Sequence, residues 1–256
     1  MPDLRRLRVG AAAAAVAVVT ACLVSAPHAP AAPANIAGMI VFLDPGHNGV
    51  NDASISRQVS DGRGGMKDCQ TSGNSTPDGY QEHSFNWEVV LRIRSLLNQL
   101  GVRSALSRGN DNAPGPCVDE RASMANAIQP NAIVSIDADG GPPSGRGFHV
   151  NYSAPPLNQA QAGPAVQLAR IMRDQLQASG IPPSNYVGQD GLYGRADLAG
   201  LNMAQYPAVL VELGNMKNPA DDALITTDEG RQKYAAAVVN GIAGFLGQSA
   251  PATTSS

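Results

Sequence analysis

Four positions in the sequence carry side chains that could bind a metal ion or move a proton. His47 lies in the turn DPGHNG after the apolar run MIVFL, and Glu82 precedes the first long helical pattern. Asp137 follows AIVSI, and Glu212 lies in PAVLVELGN. A hydrolytic zinc site needs three ligands from His, Asp or Glu, an open position for water, and a carboxylate that transfers protons. The four residues supply that set.

Spacing alone also allows a structural role for each carboxylate. Glu82 could stabilise the start of a helix through its charge, Asp137 could orient a loop, and Glu212 could be a hydrogen-bonded residue at a strand end. Asp139, two residues after Asp137, is expected to face solvent in a loop. The motifs described below are needed to choose between these alternatives.

Apolar strands and amphipathic helices alternate along the chain and predict an α/β fold with a mostly parallel sheet. In such sheets, ligands bind beyond the carboxyl ends of the strands, where the candidate residues lie. Ser84 is the expected N-cap of the first long helix, and the polar stretch 48–79 is expected to be a long loop without secondary structure. The predicted strands are 39–43, 102–108, 132–136, 147–152 and 206–215, and the predicted helices are 84–100, 119–129, 164–179 and 228–246.

The amino terminus is predicted to be an export signal. Residues 1–34 combine the basic MPDLRRLR, an apolar run and the small-residue segment PHAPAAPA. Cleavage after Ala34 is expected, with retention as a membrane anchor or lipid modification of Cys22 as the alternatives. The catalytic domain would then span 35–247, with 248–256 as a disordered tail, in a monomer exported to the periplasm or cell wall.

Charge and cysteine content restrict the partners further. Without Asp3 and the three arginines of the signal, the 18 basic and 21 acidic residues of the chain become 15 and 20. This acidic balance, with few aromatic residues, argues against nucleic acid as a partner. Export makes Cys69 and Cys117 an even pair in an oxidising compartment, which predicts a disulfide, with two unrelated thiols as the alternative.

Four segments resemble, in order and separation, the zinc-dependent N-acetylmuramoyl-L-alanine amidases of bacterial cell walls, most closely the short mycobacterial members. These segments are VFLDPGHNG, GYQEHSFNWEVVLRIRSLL, VDERASMANAIQPNAIVSIDADG and PAVLVELGNMKNPADDALI. The resemblance implies a single catalytic domain with a mixed, mostly parallel twisted sheet flanked by helices. It also implies Zn²⁺ as cofactor, and peptidoglycan or muropeptides as substrate.

The same resemblance implies roles for individual residues. His47 and Glu82 would be zinc ligands, and Glu212 the catalytic residue that transfers the proton. Asp44 would form the turn or support a ligand, and Arg121 would be structural, with substrate orientation as the alternative. The implied reaction hydrolyses the amide between N-acetylmuramic acid and L-alanine, which releases stem peptides for wall remodelling or cell separation.

Position 137 departs from the family pattern, which has a histidine ligand in S-I-H-A where this chain has SIDA. Zinc binds carboxylate oxygen and imidazole nitrogen at similar distances, so Asp137 is predicted to be the third ligand. Two carboxylate ligands cancel the formal charge of the metal, so its bound water should be less acidic. The alternative is a catalytically weak homologue that binds or regulates at the wall. His83 and His149 are disfavoured as replacement ligands.

Overall fold

The protein was analysed as a computed structural model that describes residues 35–249. The predicted signal and the Cys22 lipidation site lie outside these residues, as does most of the predicted tail. None of the helices in the described part of the chain has the length and apolar character needed to cross a membrane.

A six-stranded sheet forms the centre of the fold. Its order is β4-β1-β5-β8-β6-β7, and every neighbouring pair is parallel except β6 and β8. The prediction of a mixed, mostly parallel sheet flanked by helices in one domain is therefore confirmed. The strands are β1 Ile40–Pro45, β4 Arg103–Leu106, β5 Ala132–Asp139, β6 His149–Ser153, β7 Leu192–Arg195 and β8 Ala208–Asn215, and a separate hairpin pairs β2 Gln58–Ser60 with β3 Met66–Asp68.

Helices cover the two faces of the sheet unequally. One face packs against three long helices in the larger apolar core, and the other packs against short helices in a smaller core built on Phe42, Ile133 and Ala208. The long helices are α1 Glu82–Gln99, α4 Pro164–Ala178 and α7 Asp228–Ser249, and the shorter ones are α2 Val118–Ala127, α3 Gln159–Ala162, α5 Ala199–Met203 and α6 Pro219–Ile225.

Strand alternation places the candidate residues on the less covered face. Side chains two residues apart point to the same side of a sheet, so Asp44 shares a face with Phe42, and Asp137 with Ile133. Glu212 shares that face with Ala208 by the same parity. The small helices cover only part of this face, and its carboxyl-terminal edge stays open as a groove.

Several sequence predictions of local structure were wrong. Helix α1 begins at Glu82 with Gln81 as its N-cap, and the Ser84 hydroxyl donates instead to Asp111. The stretch 48–79 is not structureless, because it holds a 3₁₀ turn at Ala53–Ser56 and the hairpin of β2 and β3. Strand β7 and helices α3, α5 and α6 lack the apolar periodicity that would have predicted them.

Candidate metal centre

A groove of about 350 Å³ opens at the carboxyl ends of β1, β5 and β8. His47, Glu82 and Asp137 lie at one place in it, and Glu212 lies beside them. One ligand atom from each of the first three residues falls within 4.8 Å of the others. Among residues 35–249, this is the single group of three or more potential metal ligands.

The backbone of His47 aims its ring into the groove. Its φ of 61° lies in the left-handed region, which few residues other than glycine adopt. The ring Nδ1 donates to the Thr71 carbonyl at 2.9 Å, so Nε2 is directed to the carboxylates. It lies 2.9 Å from Oε1 of Glu82 and 3.3 Å from Oδ1 of Asp137. This nitrogen therefore faces two carboxyl groups, where it can carry a proton or bind a metal cation.

Glu82 is held by backbone donors on both of its oxygens. Oε1 accepts from the amide of Ala138 at 3.1 Å, and Oε2 accepts from the amide of Asn74 at 2.7 Å. Burial raises the pKa of Glu82, but its contacts with His47 and with these amides outweigh burial and leave the pKa lowered. The carboxyl group is thus an oriented anion.

Asp137 fits against Gly46, where a side chain would collide with it. A Cβ on Gly46 would lie 1.9 Å from Oδ1 of Asp137, so the turn before His47 requires glycine here. Burial raises the pKa of Asp137 to about 8, with Glu82 and Asp44 adding to the rise and His47 opposing it. For His47, burial lowers the pKa, but the hydrogen bond and charge of Glu82 and the charge of Asp137 raise it to about 9.

Glu212 lies next to Asp137 across the sheet, because the two residues are register partners in β8 and β5. Its Oε2 is buried and has no hydrogen-bond partner among the described residues. Burial raises the pKa of Glu212 well above its usual value, and the charges of Asp137, Glu82 and Asp139 add to the rise. A carboxyl group with a raised pKa can carry a proton near neutral pH.

Arg121 clamps the turn that carries His47. Its guanidinium donates to Oδ1 of Asp44, to the carbonyls of Pro45 and His47, and to Oδ1 of Asn48, at 2.7–2.8 Å. Its Nε donates to the Pro116 carbonyl at 3.0 Å, so the side chain has a protein partner at every nitrogen. Asp44 also accepts from Ser107 and Ser135. This geometry favours the structural role for Arg121, since its donors are already used within the fold.

Three further residues, Asp139, His83 and His149, lie outside the group of His47, Glu82 and Asp137. Asp139 is the last residue of β5 and is half-buried, and the Tyr186 hydroxyl donates to it at 2.9 Å, so the expectation of a solvent-facing loop residue was wrong. The Nδ1 of His83 lies 2.9 Å from Oδ1 of Asp111, outside the cluster. His149 is buried on β6 and lies opposite Glu212.

Cys69 and Cys117 form a disulfide with a Cα–Cα distance of 4.5 Å. It joins the end of the β2–β3 hairpin to the N-cap of α2. The hairpin and the residues that follow it form one wall of the groove, through Lys67, Gln70 and Thr71. The disulfide therefore fixes this wall to the helix that carries Arg121.

Several residues that shape the site were not predicted from the sequence. Asn74 and Thr71 hold Glu82 and His47, and Lys67 and Arg195 line the groove. Asn74 and Thr71 lie in the polar stretch 48–79, where no periodicity marks one residue from the next. Their role depends on how the loop folds over the cluster.

Residues 41–244 match the Amidase_3 family, which is described as N-acetylmuramoyl-L-alanine amidase. The chain belongs to this family. The amidase chain is also 77% identical, over 85% of its length and 90% of the relative, to the N-acetylmuramoyl-L-alanine amidase Rv3717 of Mycobacterium tuberculosis. These matches confirm the resemblance found in the four sequence segments.

Solved structures agree with the fold of the amidase chain. The N-acetylmuramyl-L-alanine amidase Ami1 of Mycobacterium smegmatis is 71% identical, with a TM-score of 0.83 over 84% of this chain and 99% of that one. The apo form of Ami1 from Mycobacterium abscessus is 62% identical, with a TM-score of 0.82 over 82% of this chain and 99% of that one.

Proposed function

We propose that the protein is a zinc-dependent hydrolase of the amide bond between N-acetylmuramic acid and L-alanine in peptidoglycan. Its release of stem peptides would serve wall remodelling or cell separation. The observation that carries the proposal is the cluster of His47, Glu82 and Asp137, which meets in an open groove beside Glu212. Family membership supports the same reaction.

The donor set of the cluster suits zinc. It offers one imidazole nitrogen and two carboxylate oxygens, which are donor types that zinc binds, and three protein ligands leave the fourth position open as in catalytic zinc sites. The three donors come from the turn after β1, the start of α1 and the end of β5. Zn²⁺ bound there supplies a Lewis acid and an acidified water. Asp137 makes the ligand set doubly anionic, so the formal charge of the ion is cancelled.

Glu212 is the residue we assign to proton transfer. It lines the groove on the same sheet face as Asp137, one strand away. Its carboxylate accepts a proton from the attacking water and donates that proton to the departing amine of L-alanine. The raised pKa of Glu212 suits this role, because it makes the carboxylate a better acceptor for the proton of the water.

The groove is open along the sheet edge, which suits a polymer substrate. Lys67 and Arg195 line it together with the metal cluster. We propose that a monomer consisting of residues 35–247 performs the reaction after export, with residues 1–34 as the signal and 248–256 as a disordered tail. Residues 1–34 could otherwise tether the enzyme to the membrane, as an uncleaved anchor or through lipid on Cys22.

The second candidate is a catalytically weak homologue that binds wall peptides or regulates another hydrolase. One observation favours it, namely that the third residue of the cluster is Asp137, which as an anionic ligand would leave the metal less electrophilic than a neutral ligand would. In this case the fold and groove would be retained, and turnover would be low.

Zinc content and turnover of one purified protein distinguish the two candidates. Residues 35–256 are purified, zinc per chain is measured by mass spectrometry, and free peptide is followed with muramyl dipeptide and defined muropeptides. We expect one zinc per chain and release of peptides with an amino-terminal L-alanine. Glu212→Gln should keep the zinc and lose about 10²–10⁴-fold in kcat, the usual contribution of a general acid–base.

Glu229→Gln, at an exposed position in the first turn of α7, is the matched control and should leave both quantities unchanged. Full zinc with turnover that survives Glu212→Gln would refute the assigned role of this residue. Substoichiometric zinc without cleavage, repaired by Asp137→His, would support the weak homologue instead.

A further inference from the structure

A row of polar side chains crosses the sheet at the groove and continues past the metal cluster. Asp137 on β5 is paired in register with Glu212 on β8, and Glu212 is paired with His149 on β6. Directly opposed residues of antiparallel strands have Cβ atoms about 4.5–5.5 Å apart and share one sheet face. His149 is therefore the side chain next to Glu212 on the side away from the metal ligands.

His149 and Glu212 both have polar atoms without a protein partner. The Nδ1 of His149 and the Oε2 of Glu212 are buried, and neither has a hydrogen-bond partner among residues 35–249. His149 is 2% exposed. Buried polar atoms are nearly always hydrogen-bonded, directly or through water, because leaving them unpaired costs about 1–3 kcal/mol. The two side chains are not hydrogen-bonded to each other, so one water between them would satisfy both atoms.

Aromatic neighbours fix the plane of the imidazole. The ring centroid of His149 lies 6.5 Å from that of Tyr186 and 6.1 Å from that of Tyr193, with edge-on geometry in both pairs. These contacts hold the ring without using its nitrogens. A histidine that served only as packing would need no nitrogen here, and phenylalanine would fill the same volume.

The charge state of the imidazole suits a partner of Glu212. Burial lowers the pKa of His149 to about 4, with Arg195 acting in the same direction and Asp139 opposing it. The groups that face the ring are Asp139 on β5, Glu212 on β8, Arg195 at the end of β7, and the two tyrosines. A neutral ring has one donor nitrogen and one acceptor nitrogen. In one tautomer Nδ1 is a donor and suits a carboxylate, and in the other it is an acceptor and suits a protonated carboxyl group.

We propose that His149 is a positioning residue, whose imidazole holds the Glu212 carboxyl group in place through one bridging water in both of its protonation states. The inference rests on the proposed role of Glu212 in proton transfer. It assigns His149 no contact with the metal or with the substrate. Its effect is to keep the carboxyl group aimed along the path between the attacking water and the leaving amine.

The first test compares two variants of the full-length, zinc-loaded chain. His149→Phe keeps the ring and its aromatic contacts but removes both nitrogens, and His149→Gln restores a donor and an acceptor. We expect His149→Phe to lower kcat by about tenfold or more, the scale found for residues that orient a metal-site group. KM, zinc content and Tm should stay unchanged, and His149→Gln should recover most of the kcat.

Glu229→Gln, the exposed variant on α7, is the control and should leave kcat unchanged. The inference is overturned if His149→Phe retains the kcat of the parent protein. It is also overturned if both His149 variants lose kcat equally together with zinc or Tm, because that pattern indicates a structural role.

The second test does not need turnover, so it separates failure of this inference from failure of the proposed function. The ring nitrogens of His149 are followed by ¹⁵N NMR, with the signal assigned by its loss in His149→Gln. We expect Glu212→Gln to shift these resonances, whereas Glu229→Gln should not. Unchanged resonances in Glu212→Gln would overturn the inference, whether or not the parent protein cleaves muropeptides.

Discussion

In the proposed zinc site, Asp137 would determine the charge of the ligand set and thereby how strongly the cluster acts on a bound metal. With Glu82 and Asp137 ionised and His47 neutral, three ligands carry two negative charges. A second imidazole would leave one positive charge on the zinc complex and would match the preference of this borderline-soft ion for nitrogen ligands. The Asp137 carboxylate occupies the space that a side chain at position 46 would need, so glycine there accommodates the ligand.

Asp137→His is therefore expected to strengthen zinc binding and to raise kcat. We expect a decrease in the Kd for zinc of about tenfold, equivalent to about 1.4 kcal/mol. Competition with a fluorescent chelator measures the affinity, and muropeptide turnover measures the activity. Asp174→His, at an exposed position on α4, controls for adding a histidine to the surface. Equal affinities in the parent and Asp137→His would show that position 137 does not ligate the metal.

The ion pair of Asp44 and Arg121 fixes the turn at the base of the site. Burial raises the pKa of Asp44, but Arg121, Ser107 and Ser135 outweigh burial, so the pKa is lowered on folding. The ionised carboxyl group thus stabilises the fold above the pKa of the unfolded chain, about 3.9, and this contribution is lost as the pH falls through the lower folded value.

Asp44→Asn should destabilise the protein in a pH-dependent way. At pH 7 we expect a loss of about 3 kcal/mol, because removing one partner leaves Arg121 buried and unpaired. The difference from the parent should shrink as the pH falls below about 4. Urea unfolding at pH 7, 5, 4 and 3 measures it, with Asp174→Asn as the exposed control. A difference that stays constant across this range would contradict the ionic origin of the effect.

Secondary structure was predictable where buried residues form a recognisable run or periodic pattern of apolar side chains in the sequence. It was not predictable where such a pattern is missing. Strands β1, β5 and β8 are buried apolar runs, and the sequence identified all three. The edge strand β7 has only intermediate or exposed residues, so no apolar pattern marks it. Helix α1 begins before Ser84, because Glu82 is held by Asn74 and Ala138 from outside the helix. Such distant contacts leave no local signal.

The site could be predicted in part for the same reason. His47, Asp137 and Glu212 follow or end recognisable strands, so the rule that ligands bind at the carboxyl ends of strands was enough to bring them together. Gly46 and Thr71 hold the cluster through a backbone approach and a carbonyl oxygen. Residue type does not reveal a carbonyl acceptor, so this part of the site required the structure.

The disulfide of Cys69 and Cys117 connects the β2–β3 hairpin to the start of α2. The cysteines are 48 residues apart, and the loop that they close includes α1 and Glu82. Closing a loop of this length restricts the unfolded chain and stabilises the fold by about 4 kcal/mol in the chain-entropy account. The groove wall formed by the hairpin should therefore depend on the bond.

Replacing both cysteines with alanine should lower the free energy of unfolding by up to about 4 kcal/mol. Zinc content should be unchanged, because none of the three proposed ligands is a cysteine. Chemical unfolding of residues 35–256 measures the stability, and reduction of the parent protein by dithiothreitol should reproduce the loss. A double variant as stable as the parent would mean that the bond contributes nothing to this fold.

At the scale of the whole molecule, the proposed metal site connects the main layers of the fold. Its ligands come from the turn after β1, from α1 on one face of the sheet, and from β5 at its centre. A ligand that binds only the folded state stabilises it, and the stabilisation grows with the logarithm of its concentration over Kd. Zinc should consequently increase the free energy of global unfolding as well as order the groove.

Chelation of zinc is therefore expected to lower Tm. At a zinc concentration of 100 Kd, the stabilisation is about 2.7 kcal/mol, which corresponds to roughly 5–10 °C in a domain of this size. Calorimetry with zinc or with excess chelator measures the shift, and Asp137→Ala should abolish it while Asp174→Ala retains it. If the Tm of the parent protein does not change when zinc is added or removed, the three elements are not linked by a metal. The cluster would then require a proton at Nε2 of His47 to offset its two carboxylates.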